Sequence, residues 1–447
     1  MSYGMKIHLI RRVSMPRITF CSTIVLSCFT WLVSVTVAQS PFEFYQEPIS
    51  YQTAKDENVV TRLQRRIQQG ELALEFHPTR GYLDAILKEL EIDIESQALV
   101  YSKTSLQLRP ITPSNPRALY FNDEAYVGWV PGGDKLELIA SDTKLGTVFY
   151  TIDQKKASRV LIQRDRGECL QCHANRRTHE VPGPLVRSLY TSASGQPVYN
   201  FGNFLSDHTS PLKQRWGGYY VTGNHGDMMH MGNLFVSRDT NLDELDYSQG
   251  ANRLVLAKHV NQANYPTDTS DIVALMVLEH QTQMQNLFTK AIYEERRADH
   301  YDATFRIGDD TGSDFTRRRI SRVVEELLAY MFFVDEFQLT SQVTGTSEFS
   351  RDFARRHPQT ASGESLFLLD LHTRLFKYPL SYMIYSNTFQ ALGPKTTVKL
   401  HSRIKEILGD QQSEADAQRY KHLTNELKDV IRKVLIETHP TLGPLFN

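Results

Sequence analysis

The pentapeptide Cys169-Leu170-Gln171-Cys172-His173 contains the only cysteines beyond residue 28 of a 447-residue chain. One pair of thiols three positions apart cannot staple a fold together, so the architecture has to rest on a buried apolar core. Composition allows one: 40% of residues are hydrophobic and 23% charged, as in ordinary globular proteins, and the length suits two or three domains. These values exclude a disordered, collagenous or multi-span membrane chain. Fifty basic residues against 51 acidic ones leave no electrostatic footprint for a nucleic-acid backbone.

The C-x-x-C-H spacing reads as an attachment site for one covalently bound haem c. Two thiols at this distance bond to the two vinyl groups on one edge of a haem, and the adjacent imidazole turns to the iron as its proximal ligand. Cys169 and Cys172 are then the anchors and His173 the iron ligand. A zinc site would need four ligands; His179 could add one, but no second Cys or His pair follows. A thioredoxin-like dithiol usually opens a helix after a strand, whereas the charged turn Arg164-Asp165-Arg166-Gly167-Glu168 leads into this motif.

The N-terminus supplies the compartment. Lys6, Arg11, Arg12 and Arg17 precede an apolar run from Ile18 to about Val37 that ends in Thr36-Val37-Ala38, and no acidic residue occurs before Glu43. Residues 1–38 read as an export signal with a small-residue cleavage pattern, which places the mature chain in the periplasm. The alternative is an uncleaved membrane anchor, since Ile18 to Ala38 could just span a bilayer, although Ser22, Thr23, Ser27, Thr30, Ser34 and Thr36 make it polar for one. Cleavage removes Cys21, Cys28 and four positive charges, leaving 46 basic against 51 acidic residues.

Behind the motif, Val181-Pro182-Gly183-Pro184-Leu185 resembles the Gly-Pro-x-Leu-like stretch that follows the haem motif of c-type cytochromes. That resemblance implies that a proline carbonyl, of Pro182 or Pro184, accepts the second N–H of the proximal histidine; a plain loop turn is the alternative. The resemblance is partial, because roughly 130 mature residues precede the motif and the approach Ser158–Gln163 looks like a strand. The wider chain is similar to uncharacterised exported bacterial proteins with one such motif. The stretches that carry this are Asn115–Asp123, Val181–Ser188, Arg215–Gly223 and Asp271–Gln281.

A second axial ligand decides between electron transfer and an open iron. The cluster His225-Gly226-Asp227-Met228-Met229-His230-Met231-Gly232 holds three of the ten methionines and two histidines. It is expected on a loop between strand-like Trp216–Thr222 and Leu234–Val236, where ligands are commonly presented. His230 and Met231 lead the candidate distal ligands, followed by His225 and His208, with His280 an outsider; only one is expected to bind. Side-chain packing without ligation is the alternative for each.

Periodicity predicts an α+β chain. Helical spacing marks Val60, Leu63, Ile67 and then Tyr82, Ile86, Leu90. Strand signals follow at Leu119–Phe121, Tyr126–Val130, Leu136–Ile139 and Val148–Ile152. Residues 39–240 are therefore expected to form a β-rich mixed domain bearing the haem, with N-terminal helices. Residues 241–447 are expected to form an α-helical domain, from apolar repeats at 272–294, 320–333, 366–385 and 423–436, with loops near 301–315 and 341–363. Glu279-His280, Glu325-Glu326 and Asp370-x-His372 are ingredients of a second metal site, but none has the Glu-x-x-His spacing such sites use. The resulting expectation is a periplasmic c-type haem protein that passes single electrons to redox partner proteins. The rivals are a haem enzyme with an open iron, suggested by the chain's size, and a haem-based sensor or binding module.

Overall fold

The computed structural model describes residues 42–447. The expected export segment, with Cys21 and Cys28, lies outside the described residues. Two short helices come first, α1 (Val59–Gln68) and α2 (Leu83–Glu89). Asn58 caps α1 through a reciprocal box with Thr61, and Val60, Leu63 and Ile67 are the buried face the spacing predicts. The cap also anchors the helix, because Asn58 Nδ2 donates to Tyr150 Oη at 2.8 Å and to Asp142 Oδ2 at 3.3 Å.

Six strands then form an antiparallel meander whose spatial order follows the chain: β1 (Ala98–Val100), β2 (Arg117–Phe121), β3 (Ala125–Trp129), β4 (Lys135–Asp142), β5 (Gly146–Asp153) and β6 (Ile162–Arg164). Burial along β4 alternates strictly. Leu136, Leu138 and Ala140, with Val148, Tyr150 and Ile152 of β5, share the face that meets α1. The register places Leu119, Gly128, Glu137 and Thr151 in one row of the other face, and Tyr126, Ile139 and Phe149 in the next.

Beyond the sheet come the one-turn helix α3 (Leu170–His173) and a two-stranded ribbon, β7 (Arg187–Leu189) with β8 (Asn203–Leu205). The helical part follows: α4 (Ile272–Phe305), α5 (Asp314–Met331), α6 (Phe349–Ala354), α7 (Asn387–Gln390), α8 (Pro394–Leu408), α9 (Glu414–Arg419) and α10 (Asn425–Thr438). The long helix α4 is buried all round over its first half and packs on the second face of the sheet. Gln281 donates to Tyr126 Oη at 2.8 Å, and Tyr126 Oη donates to Gln285 at 2.6 Å. Gly146, at φ +71°, lets the β4–β5 tip approach α4, since a Cβ there would lie 2.2 Å from Thr289. Residues 42–447 thus form one unit in which sheet and helices share the main apolar core, and a smaller cluster of Tyr190, Val198, Met231 and Val236 lies apart from it.

Three expectations need correction. Trp216–Thr222 and Leu234–Val236 are not strands: their amides bond one at a time, Tyr220 N to Leu99 O, Thr222 N to Ser270 O and Val236 N to Thr191 O, and left-handed Trp216 and Asn233 break any ladder. The segment 366–385 is irregular except for a 3-10 turn at Tyr382–Tyr385, although Phe367, Tyr378 and Tyr382, which would share one face of a helix, are buried. Left-handed Leu371 and the turn that Asp370 caps at His372 and Thr373 hold its shape. Residues 241–271 carry only short 3-10 turns, and α4 runs through Phe305 into the expected loop.

Candidate functional site

The motif folds as one helical turn. The amides of Cys172 and His173 both donate to Cys169 O, at 3.2 and 3.0 Å, which stacks the two sulfur-bearing side chains one above the other. Asp165 Oδ2 accepts the amides of Gly167 and Cys169 and so fixes the turn's entry. Neither thiol is in a disulfide; Cys172 is exposed and Cys169 half-buried.

The turn forms one wall of a cleft over the second face of the sheet. Two connected chambers, ≈ 280 Å³ and ≈ 360 Å³, share Arg117, Leu119, Tyr126, Ile139, Cys172 and His173 in their lining. The larger chamber falls within the range of small-molecule and cofactor sites, roughly 300–1,000 Å³, and the smaller extends it. The Phe149 ring lies 5.1 Å from the His173 ring.

A reciprocal pair of hydrogen bonds orients His173. Its Nδ1–H donates to Gly183 O at 3.0 Å, and Gly183 N donates to His173 O at 2.9 Å. A carbonyl only accepts, so the proton sits on Nδ1 and the Nε2 lone pair is left free. Burial holds the ring's pKa below the usual histidine range, which keeps it neutral. The acceptor is therefore neither Pro182 nor Pro184 but the residue between them. Proline has no N–H to return the bond; glycine has. Pro184 O instead accepts Asn286 Nδ2 at 2.9 Å, and a Cβ on Gly183 would lie 1.9 Å from Asn286 Oδ1. Glycine is required at this position by close approach.

Burial, reinforced by the Asp165 carboxylate, pushes the Cys169 thiol far above the usual range. Among the described residues, no group of three or more His, Cys, Asp or Glu is placed to hold a metal ion. A protonated thiol suits addition across a vinyl group. The lining suits a flat apolar ligand as well: Leu106, Leu108 and Tyr199 face the cleft while 60%, 48% and 58% exposed.

None of the four distal candidates lines the cleft. His208 is buried against His280, with Nδ1 to Nδ1 at 2.8 Å and the Tyr330 ring stacked 4.0 Å away, and His280 Nε2 meets Ser381 Oγ at 2.8 Å. His225 and His230 pack together with ring centroids 4.7 Å apart, His225 Nε2 accepting from Asn252 N at 3.1 Å. Met231 packs with Tyr190, Val198 and Val236, its sulfur accepting from Ser188 at 3.7 Å. The carboxylates considered for a second metal site are likewise engaged: Glu279 with Arg215 and with Trp216 Nε1, Glu325 with Arg403, Glu326 with Lys290 and His179.

Several cleft residues escaped the sequence reading. Tyr126, Ile139 and Phe149 carry a signal, since each falls on the same parity of its strand. Arg117, Arg177 and Arg187 carry none, because an arginine in a turn or on a short strand is ordinarily a solvated charge. Comparison of the chain with protein-family models, curated proteins and solved structures returns no match.

Proposed function

We propose that this chain is an exported c-type haem protein that transfers single electrons between redox partner proteins of the periplasm. One observation carries the reading: at the wall of an apolar cleft, two thiols one helical turn apart adjoin an imidazole whose Nδ1–H is held by a backbone carbonyl. In this reading Cys169 and Cys172 would bear the thioethers and His173 Nε2 would face the iron, with Gly183 fixing the ring and raising its basicity as a ligand. Leu119, Ile139 and Phe149 would give the porphyrin an apolar surface to lie against. When bound, the haem supplies a reversible one-electron couple.

The test is the intact mass of protein exported from a host that matures c-type haem. A haem-sized increment in the wild type that is lost in the C169A/C172A variant supports the reading; an unmodified wild-type mass sinks it. A second reading, an iron with an open axial position serving ligand binding or catalysis, is favoured by the packing of His208, His225, His230 and Met231 away from the cleft. Carbon monoxide decides between them: a reduced spectrum that it leaves unchanged means a filled position, and a shifted Soret band means an open one.

A further inference from the structure

Two of the cleft's three arginines carry charge that the protein leaves uncompensated. Arg117 is neutralised by Glu137, Nη2 to Oε2 at 2.6 Å. Arg177 and Arg187 have no carboxylate at ion-pair distance among the described residues. Both are tied instead to one residue of β8: Arg187 Nε donates to Asn203 Oδ1 at 2.8 Å, and Arg177 Nη2 reaches Asn203 O at 3.4 Å. The Asn175 side chain fixes the Arg177 backbone, and the Tyr199 ring lies under the Arg187 guanidinium at 5.3 Å. Both guanidiniums are half-buried; of the two chambers Arg177 lines only the one that Cys169 does not reach, while Arg187 stands where the two meet. Two like charges gathered on one asparagine beside a cleft repel one another and lose hydration. That arrangement is stable when anions complete it.

We infer that Arg177 and Arg187, braced by Asn203, form a subsite for two carboxylates, namely the two propionates that a haem carries on the edge opposite its vinyl groups. The assignment rests on the haem reading above. With the thioethers on α3 at one edge, the pair would clamp the other and fix the ring in its plane. A free inorganic oxyanion has the same chemistry, so the experiment has to separate the two sources.

The experiment uses exported holoprotein and compares wild type, R177Q/R187Q and R177K/R187K by midpoint potential in a spectroelectrochemical cell. Removing two positive charges beside the cofactor favours the oxidised iron, so the Gln variant should fall in potential while the Lys variant stays close to wild type. Nitrate and sulfate added to wild type should move neither the potential nor the Soret band. An unchanged potential in the Gln variant overturns the assignment. So does an arginine-dependent response to either oxyanion, which would give the guanidiniums to a free anion. Failure of the haem reading looks different: the wild-type mass then lacks the increment, and both proposals fall together.

Discussion

Gly183→Ala probes the link between the sequence around the prolines and the orientation of His173. The new methyl would sit 1.9 Å from Asn286 Oδ1 and 2.7 Å from its Cγ, on a side chain with no exposure. One of two elements must retreat by roughly 1 Å or more to restore van der Waals contact. If Asn286 rotates, its amide loses the bond to Pro184 O and is left buried and unpaired, which costs about 1–3 kcal/mol. If residues 181–185 shift instead, the reciprocal His173–Gly183 pair stretches, at a similar cost of about 1–3 kcal/mol for overpacking. The expected loss is therefore about 2 kcal/mol, read by urea denaturation, and it should shrink by about 1 kcal/mol or more in an N286A background where the obstruction is gone. Equal losses in the two backgrounds, or a loss below about 0.5 kcal/mol, would refute the steric argument.

Three further outcomes follow from the same geometry. Burial pushes the Glu279 carboxyl up to about 8 even with the Arg215 guanidinium beside it, so Arg215→Met should cost about 3–5 kcal/mol in denaturant unfolding at about pH 9, where the wild-type carboxyl is ionised, and less at about pH 6; an equal cost at both pH values would refute the pairing. Burial and the neighbouring His225 hold His230 down at about 3, so the folded state keeps it neutral while the unfolded chain protonates it below its ordinary pKa. Its contribution is then present above about pH 6.5 and lost as pH falls towards 3, and His230→Leu should flatten that part of the stability–pH curve. In protein made without haem, iodoacetamide at pH 8 should label exposed Cys172 at least about tenfold faster than Cys169, whose thiol burial keeps protonated; peptide mass mapping reads the ratio, and equal rates would contradict the placement of α3.

Strand parity was legible because β2 to β5 form a meander: neighbours in sequence are neighbours in the sheet, so period two alone assigns Leu119, Tyr126, Ile139 and Phe149 to one face. Helices α1, α4, α5 and α10 were legible for the same local reason. The segment 366–385 misled because its aromatic spacing mimics an amphipathic helix, while the backbone follows the cap of Asp370 and the left-handed Leu371. The loop carrying His225 to Met231 misled differently. Its composition suggested ligands, but the fold buries those side chains in a shell that does not line the cleft, with the Nδ1 atoms of His225 and His230 unpaired there, and chain separation from His173 says nothing about direction.

From the sequence alone came the juxtaposition of Cys169, Cys172 and His173, because a helical turn needs only residues i to i+4 to set its side chains side by side. Tertiary structure decided that Gly183, not its flanking prolines, holds the imidazole, that α4 walls the cleft, and that Arg177 and Arg187 meet at Asn203. Each of those contacts joins segments at least ten residues apart, where the path of the backbone, and not residue type, selects the partner.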